Sequence, residues 1–334
     1  MSKQSVGVVV IGRNEGERLR ACLESVRQVD AVVYVDSGST DGSMALARSL
    51  GAAVIPLDLA IPFTAARARN AGIQWLVEQQ PNLAFVQTID GDCALDPAWL
   101  AAAVEDLLAD PTRAVVFGRR RERFPACNAY HRACDDEWDV ATGRVDSCGG
   151  DALFRLAALR EVGGFNSSLI AGEEPELCLR LRRRGWKIWS NGREMTLHDV
   201  AITRFRQWWH RSRRTGYAMA ELVSMHGAAA NPAWQSLLRS ALAWTAVMAL
   251  VPIGGLAALL HHESVVLVAA LMPLALCTAQ LMRLASKRRQ FGFGGGLRWA
   301  GLIMAAKPAQ TYGWLQYQLQ RRAGTRATLI EYKT

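Results

Sequence analysis

The sequence predicts an α/β fold: a mostly parallel sheet with helices on both faces, followed by a C-terminal α-helical membrane region. Three observations predict it. The N-terminal part alternates short apolar runs of β-branched residues with stretches of helical periodicity. Polar and acidic residues sit at the ends of successive strands, where open parallel sheets place their ligands. Beyond about residue 235 the chain turns markedly apolar and holds long uncharged runs.

Val6-Gly7-Val8-Val9-Val10-Ile11 reads as a buried parallel strand, and Gly12-Arg13-Asn14-Glu15 as the turn that leaves it. Glu17 to Gln28 carries Leu19, Leu23 and Val26 on one helical face. Ala31 to Val35 is the second strand and ends at Asp36. In the loop that follows, Asp41 can cap a helix Ser43–Leu50 and Gly51 can close it. Ala53-Val54-Ile55-Pro56 is a third short strand, and Phe63 to Glu78 a third helix containing Arg69 and Asn70. Phe85 to Ile89 then runs into Asp90-Gly91-Asp92. A turn at Gly91 can bring the two carboxylates toward one point. Their mutual repulsion is relieved by a hard cation such as Mg²⁺ or Mn²⁺, whose open positions suit phosphate oxygens. The same tripeptide is also compatible with a plain polar turn.

Asn14-Glu15, Asp36 and Asp90-Asp92 fall together on one rim. Asp36 can accept from a ribose hydroxyl or a base edge, or simply start its turn. The glycines spell neither G-x-G-x-x-G nor G-x-x-x-x-G-K-[ST], which disfavours a dinucleotide dehydrogenase and a P-loop ATPase.

In the next stretch, Ala114 to Gly118 is a strand leading into the basic run Arg119 to Arg123, read as a solvated face. Cys148-Gly149-Gly150-Asp151 is a turn where backbone can approach a ligand, or a plain loop. Gly163-Gly164-Phe165-Asn166 ends a short helix. Gly172-Glu173-Glu174-Pro175-Glu176 opens another, with acids that complement its dipole. One of them is also a candidate general base. His198 can be a structural histidine or a third metal ligand beside Asp90 and Asp92.

The length of 334 residues allows two or three domains. The net charge of +9 favours anionic partners such as nucleotides and lipid headgroups. Nucleic-acid binding is suggested by charge alone, and none is expected. Seven scattered cysteines without a C-x-x-C indicate neither a disulfide framework nor a zinc site, and fit a reducing compartment. The N-terminus does not read as a signal peptide.

Taken together, Val10 to Gly16, Val35 to Gly42, Ala68 to Gly72, Asp90-Gly91-Asp92, Val162 to Asn166 and Gly172 to Leu177 resemble, in order and spacing, the family 2 glycosyltransferases, over about residues 5–220. The resemblance implies the GT-A fold. It implies that Asn14, Glu15, Asp36, Arg69, Asn70, Asp90 and Gly91 bind a nucleotide-diphosphate sugar, and that Asp90, Asp92 and His198 hold Mg²⁺ or Mn²⁺. Glu174 would be the catalytic base, with Glu173 its rival because the family more often has Asp there. Gly149, Gly150, Asp151, Trp208 and Trp209 are assigned to the acceptor. The implied reaction is an inverting sugar transfer to a membrane-proximal, lipid-linked acceptor in glycan synthesis. A polyprenyl-phosphate sugar synthase is the alternative enzyme, and an inactive membrane scaffold the alternative of another class. The Gln-x-x-Arg-Trp signature of processive synthases fails at Gln207 to Arg211.

The expected domains are 1–225 (a nucleotide-binding half 1–110 and an acceptor half 111–225), a two-helix transmembrane hairpin at 236–284, and a C-terminal segment 285–334. Residues 200–225 combine an apolar stripe with arginines, as a helix lying in a membrane interface does. Ser240–Leu260 and Ser264–Met282 are each long enough to span the roughly 30 Å hydrocarbon core. His261-His262-Glu263 is the short loop between them. Basic flanks at Arg239, Arg283 and Lys287-Arg288-Arg289 place both ends, and the enzyme domain, on the cytoplasmic side of an inner membrane. Gly292 to Gly296 reads as a flexible break, and Leu297 to Leu319 as amphipathic or re-entrant.

Overall fold

The computed structural model describes residues 5–260 and 264–325, and the chain separates into two compact units. The first comprises residues 1–124 and 134–200, the second residues 125–133 and 201–334. The expected loop His261-His262-Glu263 lies outside the described residues.

The first unit opens with β1 (Ser5–Gly12), α1 (Glu17–Ser25), β2 (Ala31–Asp36), α2 (Ser43–Ser49), β3 (Ala53–Pro56), α3 (Ala65–Gln79) and β4 (Leu83–Asp90). These are the elements the apolar runs predict, with helix ends shifted by a few residues. β1 pairs in parallel with β2 and β4, and β2 in parallel with β3. Val8, Val9, Val10, Val33, Val35 and Val86 are fully buried, as strands covered on both faces require. Thr64 caps α3 by accepting from Arg67 N at 3.1 Å. Gly72 is needed on α3 because a Cβ there would collide with Val9.

After β4 the pattern becomes mixed. β5 (Cys93–Leu95), α4 (Trp99–Ala109), β6 (Arg113–Glu122), α5 (Ala129–Glu137), β7 (Gly143–Val145), β8 (Ala152–Arg155), α6 (Leu156–Glu161), α7 (Glu173–Arg183) and β9 (Lys187–His198) follow. One nine-stranded sheet results, in the order β3-β2-β1-β4-β8-β6-β9-β5, with β7 on β9. β8 runs antiparallel to both β4 and β6, whereas β6 and β9 are parallel. The short β5 pairs with the end of β9 and sets Cys93 opposite His198. Asp92 is thereby carried to the end of β9.

The second unit contains α8 (Phe205–His226), α9 (Pro232–Leu260), α10 (Ser264–Ser286) and α11 (Gly292–Ala323). α8 packs on α11 at two glycines. A Cβ on Gly216 would collide with the backbone of Gln310, and one on Gly313 with Arg213. This close approach ties α8 to α11 within the second unit. Gly292 to Gly296 is a correction to the expected break. These residues begin α11, and Gly296 sits 2.8 Å, measured from its would-be Cβ, from the carbonyl of Ala285. Gly296 serves a close contact with the end of α10, whereas Gly292 and Gly294 have open space around them.

Among the described residues one helix is long and apolar enough to cross a membrane, over Pro232–Ala257, and almost none of it is buried. Its 26 residues span roughly 39 Å as helix. The comparable described part of α10, Leu271–Ser286, is shorter.

Candidate active site at the sheet rim

The ends of β1, β2 and β4 bring Glu15, Asp36 and Asp90 to one edge. Ser37 N donates to Gly12 O at 3.0 Å and Gly91 N to Ile11 O at 2.8 Å, so the turns after β2 and β4 are tied to β1. Gly91 has no room for a side chain without pressing on Ile11 O and on Glu15, whose Cγ lies 3.3 Å from its would-be Cβ. Asn14 adopts φ 54° and joins two loops: its Oδ1 accepts from Thr40 N at 2.7 Å and its own N–H donates to Ser39 Oγ at 2.9 Å. Asp36 is buried. Its Oδ1 accepts from Tyr34 OH at 2.9 Å, and its Oδ2 from Gly38 N and Ser39 N at 2.9 and 2.8 Å. The carboxylate therefore does hold its own turn.

A ladder of alternating charge runs across the centre of the site. Glu173 Oε1 accepts from Arg69 Nη1 at 2.7 Å; Arg69 Nη2 donates to Asp90 Oδ1 at 2.8 Å. Asp90 Oδ2 accepts from Arg120 Nη2 at 3.1 Å, and Arg120 also reaches Asp151 Oδ2 at 2.6 Å. Burial works against the charge on Arg69, but Asp90 and Glu173 more than restore it and hold its pKa above the ordinary value. Burial likewise opposes the charge on Arg120, and Asp151 is the largest influence keeping it protonated. Gly150 is fitted against this ladder: a Cβ would come within 2.6 Å of Arg69 Nη2 and 3.2 Å of Asp90 Oδ2.

Arg120 corrects the reading of Arg119 to Arg123 as a solvated face. Its side chain is only 16% exposed and lies over the Trp138 ring at 5.3 Å. The signal available was strand alternation, which puts Arg120 and the buried Glu122 on the same side of β6. Asp151, assigned to the acceptor, is fully engaged. Its Oδ1 accepts from Asp90 N at 2.9 Å, and its Oδ2 from Arg120 and from Thr196 Oγ1 at 3.1 Å. Asn70 fastens the Gly-Gly-Phe-Asn loop: Nδ2 donates to Phe165 O at 2.7 Å, and Oδ1 accepts from Phe165 N at 2.9 Å. Trp208 and Trp209 belong to the second unit. Trp208 is buried there and donates to Leu302 O at 3.3 Å, while Trp209 is half-buried.

Asp92 occupies a different environment from Asp90. It is buried, with Oδ2 3.1 Å from His198 Nε2. His198 Nδ1 lies 3.6 Å from Glu122 Oε2, and its ring meets Trp138 edge-on at 4.7 Å. Burial alone would lower the imidazole pKa, but the Asp92 and Glu122 carboxylates prevail and raise it. Asp92, Cys93 and His198 present ligand atoms within 4.8 Å of one another. A carboxylate and an imidazole at that separation fit a divalent cation. Asp90, expected beside them, is not brought into this donor group, because its two oxygens are held by Arg69 and Arg120.

Glu174 lines a cleft of about 280 Å³ together with Arg120, Trp138, Cys148, Gly149 and Gly150. Its Oε1 accepts from Cys148 N at 2.5 Å and from the Cys178 thiol at 3.1 Å. Glu173 instead points its Oε1 at Arg69. The first turn of α7 thus gives one acid to the ladder and the other to the cleft. Sequence reasoning gave no role to Cys148 and Cys178, which meet across 30 positions of chain.

Residues 7–161 match the family model described as Glycosyl transferase family 2. Those residues form a glycosyl transferase family 2 domain. It is 27% identical over 200 residues to the succinoglycan biosynthesis protein ExoA of Rhizobium meliloti, covering 54% of this chain and 59% of that one. It is 31% identical over 197 residues to the glycosyltransferase AglE of Haloferax volcanii, covering 55% and 63%. The chain thus matches about 60% of the length of these curated relatives. A mannosyltransferase from Pyrobaculum calidifontis, solved with GDP-Man and Mn²⁺, superimposes with a TM-score of 0.58 at 19% identity, covering 94% of this chain and 88% of that one. The fold is GT-A, a mixed sheet with helices, followed by a helical C-terminal region containing one candidate apolar span.

Proposed function

We propose that this domain transfers a sugar from a nucleotide-diphosphate sugar to a membrane-proximal, lipid-linked acceptor, with inversion at the anomeric carbon. The observation that carries the reading is the placement of Glu174: a carboxylate on a rigid helix, lining a cleft that Arg120 and Gly150 also line. Glu174 would accept the proton of the acceptor hydroxyl as that oxygen attacks the anomeric carbon. Arg120 is held at the cleft by Asp90 and Asp151, where it can face negative charge on the departing diphosphate. Arg69 acts by fixing Asp90 and Glu173 in place. Asn14, Glu15, Asp36 and Gly91 shape the rim where the nucleotide would rest, and Asn70 secures the neighbouring loop. Gly149 and Gly150 leave the cleft mouth open to the acceptor. Asp92 and His198 would hold Mg²⁺ or Mn²⁺, a charge that stabilises the diphosphate leaving group when bound.

The membrane part of the reading rests on Pro232–Ala257. Leu250, Ile253 and Leu256 on α9 are each more than half exposed. A contiguous apolar surface of that length suits a bilayer. An inner membrane with the enzyme domain on the cytoplasmic side follows from the basic flanks.

The test is a screen of nucleotide sugars for release of nucleoside diphosphate, with membranes supplied as acceptor. Release that requires Mg²⁺ or Mn²⁺, and that falls by about 10²–10⁴-fold in Glu174→Gln, is expected. Undiminished release in Glu174→Gln with loss in Glu173→Gln would move the base to the neighbouring acid. Undiminished release in both would end the proposed chemistry.

A further inference from the structure

The seven cysteines show no zinc-type spacing along the chain, but the fold brings two of them together beside Glu174. Glu174 and Cys178 are one helical turn apart on α7 and share a face. Cys148 arrives from the loop before β8. Its Sγ lies 3.6 Å from Cys178 Sγ, and Cys178 Sγ lies 3.1 Å from Glu174 Oε1. The three ligand atoms all fall within 4.8 Å of one another, and all three residues are buried.

We propose that Cys148, Cys178 and Glu174 form a site for a thiophilic divalent cation of the Zn²⁺ or Cd²⁺ class, and that its occupation takes Glu174 out of service. The second half of this statement rests on the role given to Glu174 above; the first half does not. A tetrahedral zinc with bonds of about 2.3 Å to sulfur and 2.0–2.2 Å to oxygen needs S···S of about 3.8 Å and S···O of about 3.5 Å. The observed 3.6 and 3.1 Å require only a slight opening of the cluster. Cys148 and Glu174 line the cleft, which gives the ion an entry path and gives water the fourth position. The Cys148 N–H already orients the Glu174 carboxylate, as outer hydrogen bonds do for metal ligands. Two thiolates and one carboxylate select a softer ion than the Asp92–His198 pair does. On binding, two S–H bonds break and two S–metal bonds form. Two protons pass to solvent, and no electron changes hands.

The site is tested on the purified full-length chain, first stripped of metal, by titration with Cd²⁺ while sulfur-to-metal charge-transfer absorption is recorded. One equivalent is expected to give a saturating signal in the wild-type chain. Cys148→Ser and Cys178→Ser are each expected to abolish that step, and Glu174→Gln, which leaves both thiols in place, to weaken it at least about tenfold. Cys22→Ser is expected to leave it intact. Persistence of the step in Cys148→Ser and Cys178→Ser, or its loss in Cys93→Ser alone, would overturn the assignment, the latter moving the ion to Asp92, Cys93 and His198. The inhibitory half is read separately, as loss of diphosphate release when Zn²⁺ is added over saturating Mg²⁺. Cys178→Ser is expected to resist that loss relative to its own metal-free rate. Binding without inhibition would remove the second half and leave the first standing. Absence of any sugar turnover in the wild-type chain would count against the reading of Glu174, and the Cd²⁺ signal would still decide the site.

Discussion

Asp90 and Asp92 stand on either side of one glycine in opposite surroundings. Asp90 lies between two guanidiniums, and its side chain remains 30% exposed. Asp92 is buried with an imidazole and a thiol. The difference arises from the elements that meet each residue. Asp90 ends β4 and faces α3 and β6, which supply Arg69 and Arg120. Asp92 turns toward β9, which supplies His198. Two identical side chains in one motif are thus set apart, one between guanidiniums and one beside an imidazole, by which strand each one faces. A motif read as paired metal ligands holds, in this fold, one ligand candidate and one electrostatic hub.

The strongest test of that division is Asp92→Ala. If Asp92 is the ligand, Mn²⁺ binding measured by electron paramagnetic resonance should be lost. Diphosphate release should fall by about 10²-fold or more, the order expected when a group stabilising the leaving charge is removed. Thermal unfolding should shift as well, because His198 loses a buried partner, so Mn²⁺ binding is the deciding readout. Retained Mn²⁺ binding would move the ligand role to Asp90 and erase the contrast.

Asp90→Asn should give the reverse profile. It leaves Arg69 and Arg120 without the carboxylate between them. Loss of hydrogen bonds to charged, mostly buried groups costs about 1–3 kcal/mol, and partial exposure of Asp90 holds the effect toward the lower end. Chemical denaturation should show that loss while Mn²⁺ still binds. Gly150→Ala presses on the same ladder sterically. Arg69 is fixed between Glu173 and Asp90 and cannot yield freely, so a penalty of about 1–3 kcal/mol is expected, with reduced turnover because Gly150 lines the cleft. An unchanged melting temperature in Gly150→Ala would show the ladder to be slack.

What the sequence made legible follows from how locally each feature is encoded. Elements β1 to β4 were readable because buried parallel strands are continuous apolar runs and each helix between them carries its own stripe. Asp36, Asp90 and Glu15 were readable as a rim because strand ends define it. Arg120 was legible only in part: strand alternation sets it on the side of Glu122, but its partners Asp90 and Asp151 lie about thirty residues away on either side. The three-residue strands β5 and β7 were too short to show a period. Cys148 and Cys178 meet only once α7 has docked beside the loop before β8. Gly296 misled because glycine serves flexibility and close helix packing alike, and only the neighbour Ala285 decides between them.

Glu221 on α8 extends the comparison to an acid that has burial without the ladder's compensation. Burial alone pushes its pKa up to about 7. The folded state therefore binds a proton that the unfolded chain, titrating near 4.5, has released. The sign follows: the contribution of Glu221 to stability is most favourable below the unfolded value, is lost as pH rises from there to about 7, and changes little above it. Glu221→Gln removes the titration, so its melting temperature in detergent should vary less across that window and exceed that of the wild-type chain at pH 8. The effect should be the smallest of the set, because Glu221 is only half-buried. An equal pH slope in both proteins would mean that the carboxylate is compensated after all, and that burial with guanidinium partners and burial without them do not separate the two units.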